Sequence, residues 1–362
     1  MISMTSEPYF PEPRLMLPLT VIRRERLLPD DVDGVVEVRA NSSVSLRDVV
    51  ARGTNPAPYV LIDAMKFFRL RDPDQLPPLM QVEIGDALEL NQVIAQQGRR
   101  RLLSPIDGRL AYAGAGRVIV QSVPTIVELE AGVNGVVIEV RKGRGVVLEA
   151  YGALFQGVWG NGKRSIGTLR SEPESGMGQV TFDAIDIGFR GALLVTRSPL
   201  TQETLAAAID QQLSGLIAPS MEPDMIDAAL AAPYAILLTE GFGSMRMNST
   251  NFRFLDELDG LQATIDAVLP SPLEVRRPEL IAKVQLPSVG YRPPYPNIDR
   301  PLSVGMTVRL SRGDMAGFVG EVIDLPNTPV LLDNGLRVRC AQVQLNTGEK
   351  LVVPLENIEV SG

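Results

Sequence analysis

Two hydrophobic periods divide this chain. Over residues 21–170, apolar and polar positions alternate in short runs separated by glycines. Residues 34–38 read Gly-Val-Val-Glu-Val, residues 49–52 Val-Val-Ala-Arg, and the runs 82–95, 103–111, 131–140 and 145–149 behave alike. Alternation puts successive side chains on opposite faces, so these runs predict short β-strands. The pattern then changes. Residues 191–196, 215–218 and 235–238 are continuous apolar runs that predict buried strands, while 201–213 place Leu205, Ala208, Ile209 and Leu213 on one helical face. Thr201 is placed to cap that helix and Glu203 suits its positive end. A second helix is expected over 222–232, opening near Pro223. A helical turn around 252–258 and strands near 261–268 follow.

Strand–helix–strand–helix–strand with short loops predicts a small parallel α/β sheet with right-handed crossovers. Its strand ends share one edge, the usual place for a ligand. That edge carries Thr196 and six candidate ligand-binding residues: Arg197, Ser198, Ser220, Glu240, Gly241 and Gly243. Arg197 suits clamping an anion, the serines suit hydrogen bonding, and Glu240 suits a base or an acceptor. The competing reading pairs Arg197 with Glu240 and leaves the two glycines to shape a loop.

Alternation returns near the C-terminus. Val304, Met306, Val308 and Leu310 fall on one face, and Val319 and Val322 follow a glycine-rich stretch. Gly313, Gly317 and Gly320 are expected at tight turns, and Asp333-Asn334-Gly335 is a hairpin signal. This segment resembles a KOW module, the small SH3-like barrel of transcription elongation factors and ribosomal proteins. The resemblance implies a binding role. Residues 284–300 are proline-rich and predict a stiff, extended linker in which Tyr291 and Tyr295 are available for docking. The unit beyond the linker is therefore expected to fold alone.

Composition removes several chemistries. The chain has 362 residues and no histidine, which excludes Ser-His-Asp and Cys-His mechanisms and histidine-ligated metals within one chain. Its single cysteine, Cys340, excludes an intrachain disulfide, a cysteine-rich zinc site and an iron–sulfur cluster, and reads as a small packed side chain. No catalytic residue, cofactor or metal site is expected. Net charge is −8, and residues 301–362 carry five basic residues against seven acidic ones. Nucleic-acid affinity comes mostly from phosphate neutralisation, so a protein partner is favoured over RNA or the ribosome. The counter-argument is a local patch, from Arg99-Arg100-Arg101 or from Arg309, Arg312, Arg337 and Arg339. Residues 1–20 show neither a signal-peptide pattern nor a membrane helix, so a cytoplasmic protein with no membrane partner is expected.

The Gly85-Asp86 run followed by Ser104-Pro-Ile-Asp-Gly108 resembles the barrel-sandwich scaffold of biotinyl and lipoyl carrier domains. Ala64-Met65-Lys66 mimics the biotinylation sequence, but the hairpin that bears the lysine in carrier domains is here Gln96-Gln-Gly-Arg-Arg-Arg101. Lys66 is thus expected to be unmodified, in an element that packs Met65 and Phe67. Gly157 to Lys163 has phosphate-loop spacing, but Arg164 stands where a metal-binding Ser or Thr belongs and a strand-like run follows. A glycine turn anchored by Trp159 is expected instead.

The whole order is similar to a bacterial family of uncharacterised activity that joins a barrel-sandwich-like part, an α/β part with a Thr-Glu-Gly-Phe-Gly strand end (239–243), an Arg-Arg-Pro-Glu sequence (276–279) and a terminal KOW-like barrel. The fold expected is multidomain α+β. It comprises an extended segment (1–20), a barrel-sandwich-like β region (21–170), a small α/β domain (180–283), a Pro-rich linker (284–300) and a KOW-like SH3 barrel (301–362). The function expected is a non-catalytic interaction or adaptor protein, associated through the KOW-like module with transcription or translation machinery. The alternative is a small-ligand sensor or enzyme that uses the α/β edge.

Overall fold

One long strand, Gly145–Gln156, joins the two hydrophobic regimes. Its first half pairs with Gly135–Arg141 and its second half with Glu279–Ala282, while Met16–Leu27 runs antiparallel along most of its length. Gly152 makes the switch possible. A Cβ there would come within 2.5 Å of the Ala282 carbonyl oxygen, closer than any side chain tolerates. In this computed structural model, which describes residues 8–11, 13–172, 189–269, 276–312, 315 and 317–361, the protein is a multidomain α+β chain built mainly of strands.

The strand belongs to an eleven-stranded mixed sheet. At its centre Arg164–Ser171, Ala192–Val195, Gly215–Met221 and Ala235–Phe242 lie parallel and in sequence order. Ala192–Val195 and Gly215–Met221 are buried at every position, because both faces of the sheet are covered. Helices Gln202–Asp210 and Ile226–Ala231 cover one face through Leu205, Ala208 and Ala229, and Ser249–Asp256 covers the other through Leu255. Thr201 caps the first helix by accepting a hydrogen bond from the Thr204 amide. Ile209 departs from expectation and is 52% exposed. The helix ends at Asp210, and only its Leu205–Ala208 stripe reaches the sheet.

Within residues 21–170 the strands nest. Val49–Asn55 pairs with Thr125–Glu130, and this pairing brackets an inserted unit. In that unit Tyr59–Asp63, Arg117–Ser122, Gly108–Gly114 and Ala87–Leu88 form a sheet, and Val93–Gln97 and Arg100–Leu103 form a hairpin. Lys66 lies exposed in the helix Ala64–Phe68, whose buried residues are Ala64 and Phe68 rather than the expected Met65 and Phe67. Asp63 caps this short helix and sets which side chains face inward. Arg99, Arg100 and Arg101 sit at the solvated end of the hairpin.

The C-terminal six-stranded sheet runs Pro13–Arg14, Ile358–Ser361, Thr307–Leu310, Val319–Asp324, Cys340–Leu345 and Lys350–Pro354. Residues 301–362 are therefore not the whole of this unit. Pro13–Arg14 pairs in parallel with the last strand, and Tyr9 packs on the core. Gly317 adopts φ of 91° as a turn glycine should. Gly320 instead lies inside a strand, where a Cβ would come within 2.6 Å of the Gln344 carbonyl oxygen. Gly313 lies outside the described residues. Gly335 turns the hairpin Val330–Leu331/Arg337–Val338 at φ of 81°. The proline-rich stretch lies along Met16–Leu27, with the Pro294 carbonyl accepting from the Val21 amide and Thr20 hydroxyl, and Tyr295 beneath Arg23. No helix among the described residues is long and apolar enough to cross a membrane.

Candidate functional site

The C-terminal sheet docks against the ends of the parallel strands, and Arg309 makes the join. On Thr307–Leu310, Val308 and Leu310 face their own core, so Arg309 points outward. It is nevertheless buried, because its outward face meets the end of Ala235–Phe242. Its Nη2 donates to Glu240 Oε2 at 2.8 Å and to the Glu240 carbonyl at 3.3 Å. Its Nη1 donates to Glu359 Oε2 at 3.2 Å, and Glu359 is its direct cross-strand neighbour. Arg277 Nη2 reaches the other Glu359 oxygen at 3.1 Å. Glu240 Oε1 also accepts from Asn251 Nδ2 at 2.7 Å, which ties the network to the first turns of Ser249–Asp256.

Arg14 completes the network. It is buried, its Nε donates to the Gln156 carbonyl at 2.8 Å, and its guanidinium lies 5.4 Å from the centre of the Phe155 ring. Its Nη2 has no hydrogen-bond partner among the described residues. Burial, reinforced by Arg309, pushes Arg14 down to about 10. Burial alone would raise the Glu359 carboxyl, but the combined pull of Arg277, Arg309 and Arg14 outweighs it and holds the group below its ordinary value. The seam thus sets three guanidiniums against two carboxylates, with Arg14, Arg309 and Glu240 buried and Arg277 and Glu359 partly so.

Over this network opens a cavity of about 970 Å³. The α/β side supplies an apolar wall of Trp159, Ile226, Leu230, Phe242 and Leu269, and the C-terminal side a polar one of Arg309, Ser311, Arg312, Glu356 and Glu359. Trp159 and Phe242 pack edge to face at 5.7 Å. Gly241, at φ of 117°, lies within the strand one residue before its end at Phe242. A smaller apolar hollow of about 370 Å³ lies between residues 245–248 and 317–319, and Glu240 borders both spaces.

All six candidate residues lie at the strand ends, but their side chains do not converge. Glu240 and Gly241 line the large cavity. Arg197 instead stacks 3.9 Å from the centre of the Phe252 ring, while its amide donates to Glu172. The Ser220 hydroxyl donates to the Met245 carbonyl, and the Ser198 carbonyl accepts from Thr196. Gly243, at φ of 111°, donates its amide to the Met221 carbonyl. Nor do Arg197 and Glu240 pair, since Arg309 takes the carboxylate. Sequence reasoning missed Arg14, Arg277 and Glu359 as site residues, and it named Arg309 only within the local arginine patch that stood as the counter-argument for RNA.

The 276–279 sequence braces the seam. Arg276 approaches Asp266 at 3.6 Å, Arg277 takes Glu359, and Glu279 receives both arms of Arg24. Asp266 also binds Arg26, which is fully buried, and Arg164. Burial alone would raise the Asp266 carboxyl, but these arginines together hold it down. The 157–163 loop is structural. Asn161 donates to the Ala229 and Tyr234 carbonyls and accepts from the Ile236 amide, while Lys163 donates to the Leu230 and Ala232 carbonyls. Comparison with protein-family models matches none of them to this chain, and comparison with curated proteins finds no match either.

Proposed function

We propose that this protein is a non-catalytic, ligand-responsive interaction protein, with a small molecule seated between the parallel-strand ends and the C-terminal unit. The observation that carries this reading is the cavity of about 970 Å³ whose two walls belong to different units. That volume suits a small organic ligand, and strand ends of an α/β sheet are a common place for one. Binding rather than catalysis is favoured because Glu240 and Glu359 are both held in ion pairs, so neither carboxylate is free to act as a base. A ligand that touches both walls would strengthen their docking, and adaptor function follows from that coupling.

Finer fold assignments support an adaptor. The strand order of the C-terminal sheet, with a 3-10 turn at Leu355–Asn357 before the last strand, supports the SH3-like, KOW-type reading. The nested strands of 21–170 support the barrel-sandwich reading. Arg309 is withdrawn from any RNA-facing patch by its burial, which favours a protein partner in transcription or translation machinery over RNA itself. The inserted unit offers a docking face, where Tyr59, Ile84 and Tyr112 are exposed around a hollow of about 490 Å³.

Thermal-shift measurements against small organic acids, amines, nucleotides and sugars test the ligand reading. At least one class should raise the melting temperature in proportion to its concentration, and Leu230→Asp should abolish the shift. No response to any class, or a response that survives Leu230→Asp, defeats it.

A further inference from the structure

The proposed cleft also has a sign and a polarity. We propose that its ligand is an amphipathic monoanion, an organic acid with one anionic head and an aromatic or branched-aliphatic body. The inference rests on the cleft reading and adds the chemical class.

Three observations point this way. First, the walls are unlike. The α/β side presents Trp159, Phe242, Leu230 and Leu269, whereas the C-terminal side presents Arg309, Ser311 and Arg312. A ligand that satisfies both must be apolar at one side and polar at the other, because an unmatched buried polar group costs free energy. Second, the charges do not balance. Arg14, Arg277, Arg309 and Arg312 stand in or directly behind the cleft, against Glu240, Glu356 and Glu359. Among the described residues the three arginines that line the cleft match its three glutamates, and Arg14, which does not line it, adds a fourth positive charge beside Arg309, Glu240 and Glu359, so an anionic head adds to the smaller side. Third, the carboxylates of Glu240 and Glu359 are already engaged by Arg309 and Arg277, while exposed Arg312 makes no ion pair among the described residues. A guanidinium with free donors on the wall is suited to a carboxylate, sulfonate or phosphate head. Among the described residues of the wall, a cationic head would meet only Glu356 as a carboxylate outside these ion pairs.

The test uses the full-length chain and two fluorescent probes of one ring system: 8-anilinonaphthalene-1-sulfonate, which is anionic, and N-phenyl-1-naphthylamine, which is neutral. The anionic probe should bind at one saturable site, at least tenfold more tightly than the neutral one. Arg312→Glu should weaken the anionic probe at least tenfold and the neutral probe less than twofold. Leu230→Asp, at a half-exposed position of the apolar wall, should weaken both at least fivefold. Decanoate should displace the anionic probe and decyltrimethylammonium should not. If Leu230→Asp weakens both probes but Arg312→Glu discriminates neither, or the ammonium competes as well as the acid, the ligand class is wrong and the cleft stands. If Leu230→Asp affects neither probe, the cleft reading falls and takes the ligand class with it.

Discussion

The join between the two walls is tested by a double-mutant cycle on Arg309 and Glu240. Their side chains are 7% and 3% exposed and their nearest atoms are 2.8 Å apart. At an effective dielectric of about 20, opposite unit charges at that separation attract by about 6 kcal/mol. Desolvating both groups offsets much of this, so the net worth of the pair is smaller than the attraction. Removing one partner is costlier than the pair is worth, because it strands the other. Arg309→Met leaves the Glu240 carboxylate with Asn251, Thr239 and the Asn248 amide, and leaves Glu359 with Arg277. We expect a loss of about 4 kcal/mol. Glu240→Gln keeps an acceptor for Asn251, and Arg309 keeps Glu359, so about 2 kcal/mol is expected. The double variant should lose about 4 kcal/mol rather than about 6, a coupling of about 2 kcal/mol. Urea titration followed by Trp159 emission reads this directly, since Trp159 is the only tryptophan and lines the cleft. The singles should also shift its native emission to the red as the seam loosens. Losses additive within about 0.5 kcal/mol, with an unchanged emission maximum, would show that the two units are merely adjacent.

Four further outcomes follow from other parts of the molecule. Gly108→Ala should unfold the inserted unit, seen as lost protection of 59–122 in hydrogen exchange, because its Cβ would lie 2.0 Å from the Gln121 carbonyl oxygen; native-like protection refutes the close approach. Asn161→Ala should cost about 3 kcal/mol in urea unfolding, since one amide and two carbonyls lose a buried partner. On pH, Asp266 and Glu359 both titrate below their ordinary values of 3.8 and 4.5 in the folded protein. Their stabilisation is therefore complete above the higher value and is lost as pH falls through the lower folded values; the urea midpoint should be steady just above pH 4.5 and drop below it, less steeply in Glu359→Gln. At physiological salt the chain should bind mixed RNA no more tightly than about 1 μM, and submicromolar affinity abolished by Arg337→Glu would restore the RNA reading.

How much of this was legible in the sequence depends on the range of each interaction. The parallel strands were legible because burial on both faces demands continuous apolar runs, as in Ala192–Val195. The Thr201 cap was legible because it acts over three residues. Ile209 misled because periodicity assigns a face but not how far the sheet extends beneath it. Phe67 and Phe68 were confused because a helix of five residues sets its own phase through Asp63. The six edge residues were placed correctly along the chain, but edge position does not fix where side chains point. The seam was illegible for a different reason. Arg309 occupies the outward position of an alternating strand, where a charge ordinarily signals solvent, and its partner Glu240 is 69 residues away. Pro13–Arg14, two residues long, carries no strand signal of its own and acquires one only from Ile358–Ser361.

That last pairing bears on how the cleft comes to exist. Pro13 pairs with Val360 and Arg14 with Ser361, so one strand contact of the C-terminal sheet spans nearly the whole chain. Met16–Leu27 follows almost immediately and is locked along Gly145–Gln156. The segment that completes the C-terminal unit is thus tied to the strand shared by both halves of the large sheet. Contacts of such sequence separation form late, because the loop they close must lose its freedom first. The cavity's apolar wall can fold with the α/β sheet, but its polar wall arrives only when the C-terminal unit docks. Docking brings Arg309 onto Glu240 and Arg14 beside both, which buries more positive than negative charge in one step. An anionic ligand offsets that excess only in the docked state. On the proposed reading its binding energy would act on the seam itself, which couples occupancy of the cleft to the docking of the C-terminal unit.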